Sequence, residues 1–307
     1  QVVETGMAMY ERSAGPQLVF VDPRRSDDAR AMVRSARRLV KLFCARGMQR
    51  SEIVVSIPAT EAGVAAAQEL QHAYAIHTNL ILVAGLMHAG VCAEARATAI
   101  SIAVGPLLRS HEQGSAVSLD LATHPGIEAI QATLAYFKLH GLRTRIVGRD
   151  FRAVAELHAL RGFDAVCLSQ PQLDAWLWAP DTPDTPRPQA VMRARQAQYP
   201  TAFLAKGAGF LSRMSAAARG ALAGAVWPAL ARMRAQMDTV EAVVEGEVAW
   251  QLAARTLSLG ALYALRDAPR AEGRRGGHDE GHVGRERTGT PLGEARARLN
   301  EDGEEYF

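Results

Sequence analysis

The sequence predicts an α/β fold with a parallel sheet, and three observations carry that expectation. Short apolar runs rich in β-branched residues alternate with amphipathic helical stretches between residues 18 and 179. The runs are continuously apolar rather than alternating, which suits strands buried on both faces. Helix-starting and helix-ending residues fall at the joints between the two kinds of segment. Strand–helix repetition of this kind implies right-handed crossovers, either in an open doubly wound sheet or in a barrel.

Taken in order, the predicted strands are Leu18–Asp22, Ile53–Ile57, Asn79–Ala84, Ala99–Val104, Thr144–Gly148 and Ala165–Ser169. Helices are predicted over 27–47, 60–74, 86–97, 124–140 and 150–161. The first shows the expected spacing of an apolar face in Met32, Ala36, Leu39, Val40 and Phe43. Ser26 and Asp27 precede the first helix, Thr60-Glu61 the second and His124-Pro125 the fourth. Gly47, Gly141 and Gly162 are expected at the C′ position of helices. Before the first strand lie one helical piece, Val2–Tyr10, and a Gly15-Pro16 turn. Six strands are countable where a closed (β/α)₈ barrel needs eight. An open six-stranded sheet and a barrel lacking its first two units both fit that count.

Beyond the alternating region, D-T-P-D-T-P-R-P opens a Pro-rich linker over 181–189. Residues 190–265 read as helices rich in Ala, Met and Arg, with Trp227 and Trp250 as expected anchors. From 266 to 307 the chain turns to Gly, Arg, Glu and Asp and lacks the apolar residues that would repay ordering, so a disordered charged tail is expected.

Composition excludes several classes of function. A 307-residue chain with 48% hydrophobic residues can bury a sizeable core. Its net charge of +3 gives no electrostatic case for a nucleic-acid partner. No run of about eighteen uncharged apolar residues suggests a membrane span, and no signal peptide is legible, so a cytoplasmic location is expected. Cys44, Cys92 and Cys167 are too few and too apolar in setting for a disulfide framework. Among 35 basic residues only Lys41, Lys138 and Lys206 are lysines, which leaves three candidates for any chemistry that needs an amine. No G-x-G-x-x-G follows a strand, so a dinucleotide fingerprint is unsupported. His278 and His282 could ligate a metal, but they lie in the charged tail without cysteine support.

The most informative stretch runs from Ile53 to Val104: I-V-V-S-I-P-A-T-E-A-G-V-A-A-A-Q-E-L, then I-H-T-N-L-I-L-V-A-G-L-M-H-A-G-V-C-A-E-A, then A-I-S-I-A-V-G. G-R-D-F-R-A (148–153) and D-A-V-C-L-S-Q-P-Q-L (164–173) follow. This pattern resembles the transaldolase family, class I aldolases on the (β/α)₈ TIM-barrel fold, collinearly over about residues 18 to 179. By that resemblance the six strands are the third to eighth of the barrel, and an N-terminally truncated barrel is expected. The family reaction moves a dihydroxyacetone unit from sedoheptulose 7-phosphate to glyceraldehyde 3-phosphate through a lysine Schiff base, in the pentose phosphate pathway. It uses no cofactor and no metal.

Carried over residue by residue, the resemblance puts Ser56 at the Schiff-base lysine position. Phe20 falls at the acid–base glutamate, Ile81 at the water-holding threonine, Pro106 at a phosphate-binding arginine and Asp150 at a phosphate-binding serine. The matching polar residues are Asn79 and Ser101 at the barrel mouth and Arg152 for substrate phosphate. Arg152 has a second reading, an ion pair with Asp150. Ser56 as a nucleophile would need a base, for which His77 and His88 are the neighbours in sequence. The replacements imply a chain inactive in the family reaction, a pseudoenzyme or decayed paralogue that binds a sugar phosphate. A repurposed barrel with non-Schiff-base chemistry and a protein-interaction module are the alternatives. The open barrel edge would then be covered by a partner chain or in a homo-oligomer.

Overall fold

A computed structural model describes residues 2–12, 15–112, 120–178, 187–204 and 209–267. The contacts discussed below lie within residues 1–248, one of two compact units; the other comprises 249–307.

Six strands form one parallel sheet: β1 (Gln17–Phe20), β2 (Ile53–Pro58), β3 (His77–Ile81), β4 (Ala99–Ala103), β5 (Arg145–Arg149) and β6 (Ala165–Val166). Their spatial order is their chain order. A doubly wound sheet reverses direction at a switch point, whereas here every crossover adds the next strand on the same side. The sheet is therefore an incomplete barrel, which decides between the two arrangements that strand counting leaves open.

The helices are α1 (Val2–Tyr10), α2 (Ala29–Cys44), α3 (Glu61–Tyr74), α4 (Leu86–Glu94), α5 (Val104–Glu112), α6 (Pro125–Leu139), α7 (Val154–Ala159), α8 (Gln170–Leu177), α9 (Pro188–Gln196) and α10 (Ala216–Asp267). Local chemistry explains their ends. The Thr60 hydroxyl accepts from the Gly63 N–H, and its own proton goes to the Ser26 carbonyl at 2.5 Å. His124 Nδ1 accepts from Gly126 N–H ahead of Pro125 at the first turn of α6. The cap of α2 is Asp28, one or two residues beyond the expected Ser26 and Asp27. Gly141 closes α6 with the paired bonds of a Schellman motif, its own N–H to Lys138 and that of Leu142 to Phe137.

Differences from the expected elements have simple causes. The third strand starts two residues early, at His77, and ends at Ile81, because Leu82 turns into a positive-φ conformation (64°). β6 pairs over only two residues, at the outer edge of the sheet. Two helices, α5 and α8, are absent from the expected pattern: α5 follows β4 without a loop, so its apolar start merges with the strand. Trp227 and Trp250 are not anchors. They are 47% and 60% exposed on α10, whose packed residues there are Leu222, Val226, Ala229 and Leu230. The segments 181–186 and 268–307, and with them His278 and His282, lie outside the described residues.

The core lies between the helices and the outer face of the sheet. Ile53, Val55 and Ile57 of β2, Leu80 of β3, Ile100 and Ile102 of β4 and Ile146 of β5 all point that way at period two. They meet Met32, Ala36, Val40 and Phe43 of α2 and Val64, Ala67 and Leu70 of α3. The alternate residues of the same strands face the inside of the barrel.

No helix among the described residues is long and apolar enough to cross a membrane.

Candidate functional site

Strand register assembles the inner face. Phe20 is the partner of Ser56, Ser56 of Asn79, and Asn79 of Ala99. Ser101 stands two residues past Ala99, on the same face. Three of the sequence-predicted residues therefore converge. Asn79 Nδ2 donates to Ser56 Oγ at 3.2 Å, and Ser101 Oγ donates to Asn79 Oδ1 at 3.0 Å. The three side chains are 0%, 1% and 1% exposed, so each meets the requirement that a buried polar group be hydrogen-bonded.

This row contains no ionisable group. Phe20 places an aromatic ring beside Ser56 on the preceding strand, and Ile81 closes β3 with a buried aliphatic chain. Neither candidate base reaches the serine. His77 Nδ1 lies 3.1 Å from Thr98 Oγ1 at the start of β3. His88 Nε2 lies 2.7 Å from the Ala59 carbonyl, and its Nδ1 accepts from the Ala84 N–H. Burial pushes the His88 pKa down to about 4, so this imidazole is neutral near pH 7. Of the lysines, Lys41 and Lys138 sit exposed on α2 and α6, and Lys206 lies outside the described residues. No amine stands on any described strand.

Arg152 is not part of the row, and its partner is not Asp150. Its Nε bonds Glu156 Oε1 at 2.5 Å, its backbone N–H bonds Glu156 Oε2 at 2.9 Å, and its guanidinium reaches Glu112 at 2.9 and 3.0 Å. Asp150 instead pairs with Arg149 at 3.2 Å, from a positive-φ turn (58°) that swings its carboxylate away. Burial works against the charge on Glu112, but hydrogen bonds from Arg152 and His124 outweigh it and hold its carboxyl below the usual range. The Arg152–Glu156 pair was readable from its four-residue spacing across the start of α7. Glu112 was not, because it ends a helix that the sequence pattern does not separate from β4.

The mouth of the barrel is crossed by α10. Arg234 donates to the Pro23 carbonyl and the Ser26 hydroxyl just after β1. Arg24 bonds Asp22, Asp238 at 2.9 Å and Glu241. Ala225 and Ala229 lie against Leu82, Val83 and Ala84 after β3, Ala103 at the end of β4, and Pro106 and Leu107 of α5. The helix thus spans the C-terminal ends of the strands, the end at which barrel enzymes bind their ligands. No cluster of three or more His, Cys, Asp or Glu suited to a metal occurs among the described residues.

A family model for transaldolase/fructose-6-phosphate aldolase matches residues 4–215. The chain belongs to this family. Transaldolases of known sequence agree with that placement: the Kluyveromyces lactis enzyme is 35% identical over 176 residues, 57% of this chain and 53% of its own length. The Saccharomyces cerevisiae transaldolase is 32% identical over 56% of this chain and 52% of its own length. The Sus scrofa transaldolase is 33% identical over 55% and 50%. The chain spans about half the length of the curated relatives it matches. Transaldolase-family membership also accounts for the incomplete barrel, since the strands present continue one another in the order of a barrel rather than an open sheet.

Proposed function

We propose that this transaldolase-family chain is a carbohydrate-metabolism protein that does not perform the Schiff-base transfer itself. One observation carries this reading: the strand position expected to hold the nucleophilic amine holds Ser56, sealed at 0% exposure in a hydroxyl–amide row. A hydroxyl cannot form a Schiff base with a ketose carbonyl. The neighbouring positions supply no proton carrier either, since Phe20 and Ile81 stand where the resemblance expects a carboxylate and a water-holding hydroxyl. Groups of this kind act as a unit, so partial binding does not restore turnover.

In this reading the chain is a non-catalytic family member in the cytoplasm, able to hold a sugar phosphate or a partner chain at its unpaired strand edges. The test is borohydride reduction in the presence of fructose 6-phosphate or sedoheptulose 7-phosphate, followed by intact-mass and peptide mass spectrometry. No adduct at stoichiometric level is expected. A stoichiometric adduct on Lys41, Lys138 or Lys206 would overturn the reading.

A further inference from the structure

The outer face of α2 carries positive charge without interruption. Arg30, Arg34, Arg37, Arg38 and Lys41 are all exposed. At about 3.6 residues per turn they fall within an arc of about 100°, a stripe about 16 Å long. No Asp or Glu lies between Ala29 and Arg50. Arg30, Arg34, Arg38 and Lys41 have no hydrogen-bond or ion-pair partner among the described residues. Arg37 meets the Tyr74 side chain, its guanidinium 4.2 Å from the ring centroid and its Nη1 donating to the hydroxyl at 3.3 Å. The nearby Glu4 carboxylate of α1 pairs with Arg46, beyond the end of the helix.

This arrangement works against the helix. Arg30–Arg34, Arg34–Arg38 and Arg37–Lys41 are like charges four residues apart, the spacing at which side chains on a helix face one another. Arg30 also lies in the first turn, the end of the helix dipole that disfavours cations. A face that had only to be solvated would do better with charges of both signs.

A polyanion laid along the stripe relieves the repulsion, and α2 itself narrows what that polyanion is. Its apolar residues Met32, Val33, Ala36, Val40 and Phe43 are buried in the core, so that face is not free to enter a lipid surface. The exposed face of α2 holds no aromatic, Asn or Gln that would stack on a base or read its edge. Cations four residues apart stand about 6 Å apart along the helix axis. That is close to the roughly 6.6 Å between same-side residues of an extended chain.

We infer that the α2 stripe docks an extended acidic peptide segment of a partner protein, with carboxylates at alternate peptide positions meeting Arg30, Arg34 and Arg38 in turn. Lys41 prolongs the stripe, and Arg37, held on Tyr74, borders it. The stripe lies on the outside of the barrel, so the inference is independent of whether Ser56 is inert.

Fluorescence anisotropy of the full chain with a labelled peptide of alternating Glu and Ser, about eight residues long and so able to span the stripe, tests it. Saturable binding that weakens as salt is raised is expected. Arg34→Gln/Arg38→Gln should weaken binding by about tenfold, the combined loss of two exposed ion pairs. Glutamine is nearly as good a helix former as arginine, so the fold should be kept, with an unchanged thermal midpoint. Arg34→Lys/Arg38→Lys keeps the charge and should keep most of the affinity. Arg143→Gln/Arg195→Gln removes the same net charge at exposed positions away from α2 and should bind like the wild type. A DNA duplex and phosphatidylserine vesicles should bind more weakly than the peptide at about 0.15 M salt. No saturable peptide binding, equal losses in the two glutamine double variants, or tighter binding of the duplex or the vesicles that is lost in Arg34→Gln/Arg38→Gln would overturn the assignment.

Discussion

Asn79 hydrogen-bonds Ser56 on one side and Ser101 on the other, so a single amide satisfies two hydroxyls on neighbouring strands. It is the middle link of the row, and its removal leaves both buried serines without that partner. Asn79→Ala should therefore destabilise the fold by about 2–3 kcal/mol, the cost of leaving buried polar groups unpaired. Ser56→Ala, which removes an end of the row, should cost about 1 kcal/mol. Urea denaturation of the three proteins measures the difference, and equal midpoints for Asn79→Ala and Ser56→Ala would contradict the ordering.

Restoring the amine alone should not restore chemistry. A lysine placed at Ser56 would sit beside the Phe20 ring and Asn79 with no carboxylate on the described strands of that face. Ser56→Lys should be less stable than the wild type. Its transfer rate should lie far below that of an intact enzyme, because a general acid–base group contributes about 10²–10⁴-fold. A coupled assay of glyceraldehyde 3-phosphate consumption tests this. Near-normal turnover by the single variant would mean that a proton carrier reaches the row from elsewhere.

The Arg152–Glu156 pair should act as a structural element. Glu156 is almost fully buried and Arg152 about one-third exposed, so removing the arginine strands a buried carboxylate. Arg152→Ala should cost roughly 2–3 kcal/mol, somewhat below a fully buried pair. The double variant Arg152→Ala/Glu156→Gln should recover part of that loss. A double-mutant cycle that gives no coupling would remove the pair from the list of stabilising contacts.

Acid should destabilise the fold through His88. Its pKa is held near 4 by burial, below the ordinary value of 6.5 given for the free side chain. The unfolded chain binds the proton more readily, so the contribution is full above about pH 6.5 and is lost as pH falls toward 4. The shift corresponds to about 3 kcal/mol over that window. His88→Gln should flatten the stability–pH profile between pH 4 and 6.5 whatever its effect on absolute stability. A slope identical to the wild type would assign the acid sensitivity to other groups.

Much of this structure was legible because its elements announce themselves locally. Continuous β-branched runs marked all six strands, and Thr60 and His124-Pro125 marked two helix starts to the residue. Ser56, Asn79 and Ser101 could be placed on one face because period-two alternation and family register agree. Three features escaped for physical reasons. The start of α5 is as apolar as the strand before it, so periodicity does not divide them. Trp227 and Trp250 are large enough to suggest anchors, yet α10 packs through its smaller Leu222, Val226 and Ala229 and turns the indoles outward. The partners of Arg152 depend on a turn at Asp150, where an aspartate tolerates a positive φ without requiring it.

The order of the strands bears on how the chain acquires its shape. Because β1 to β6 neighbour one another in chain order, each new strand docks after closing a single crossover, the longest running from Ala103 to Arg145. Closure entropy grows only as the logarithm of loop length, so no pairing step carries the penalty of joining distant ends of the chain. The sheet can be assembled as a zipper, one strand–helix unit onto the last. A lesion in β6 would then leave the β1–β2 junction able to form, and hydrogen exchange would report the two ends of the sheet as separately opening regions.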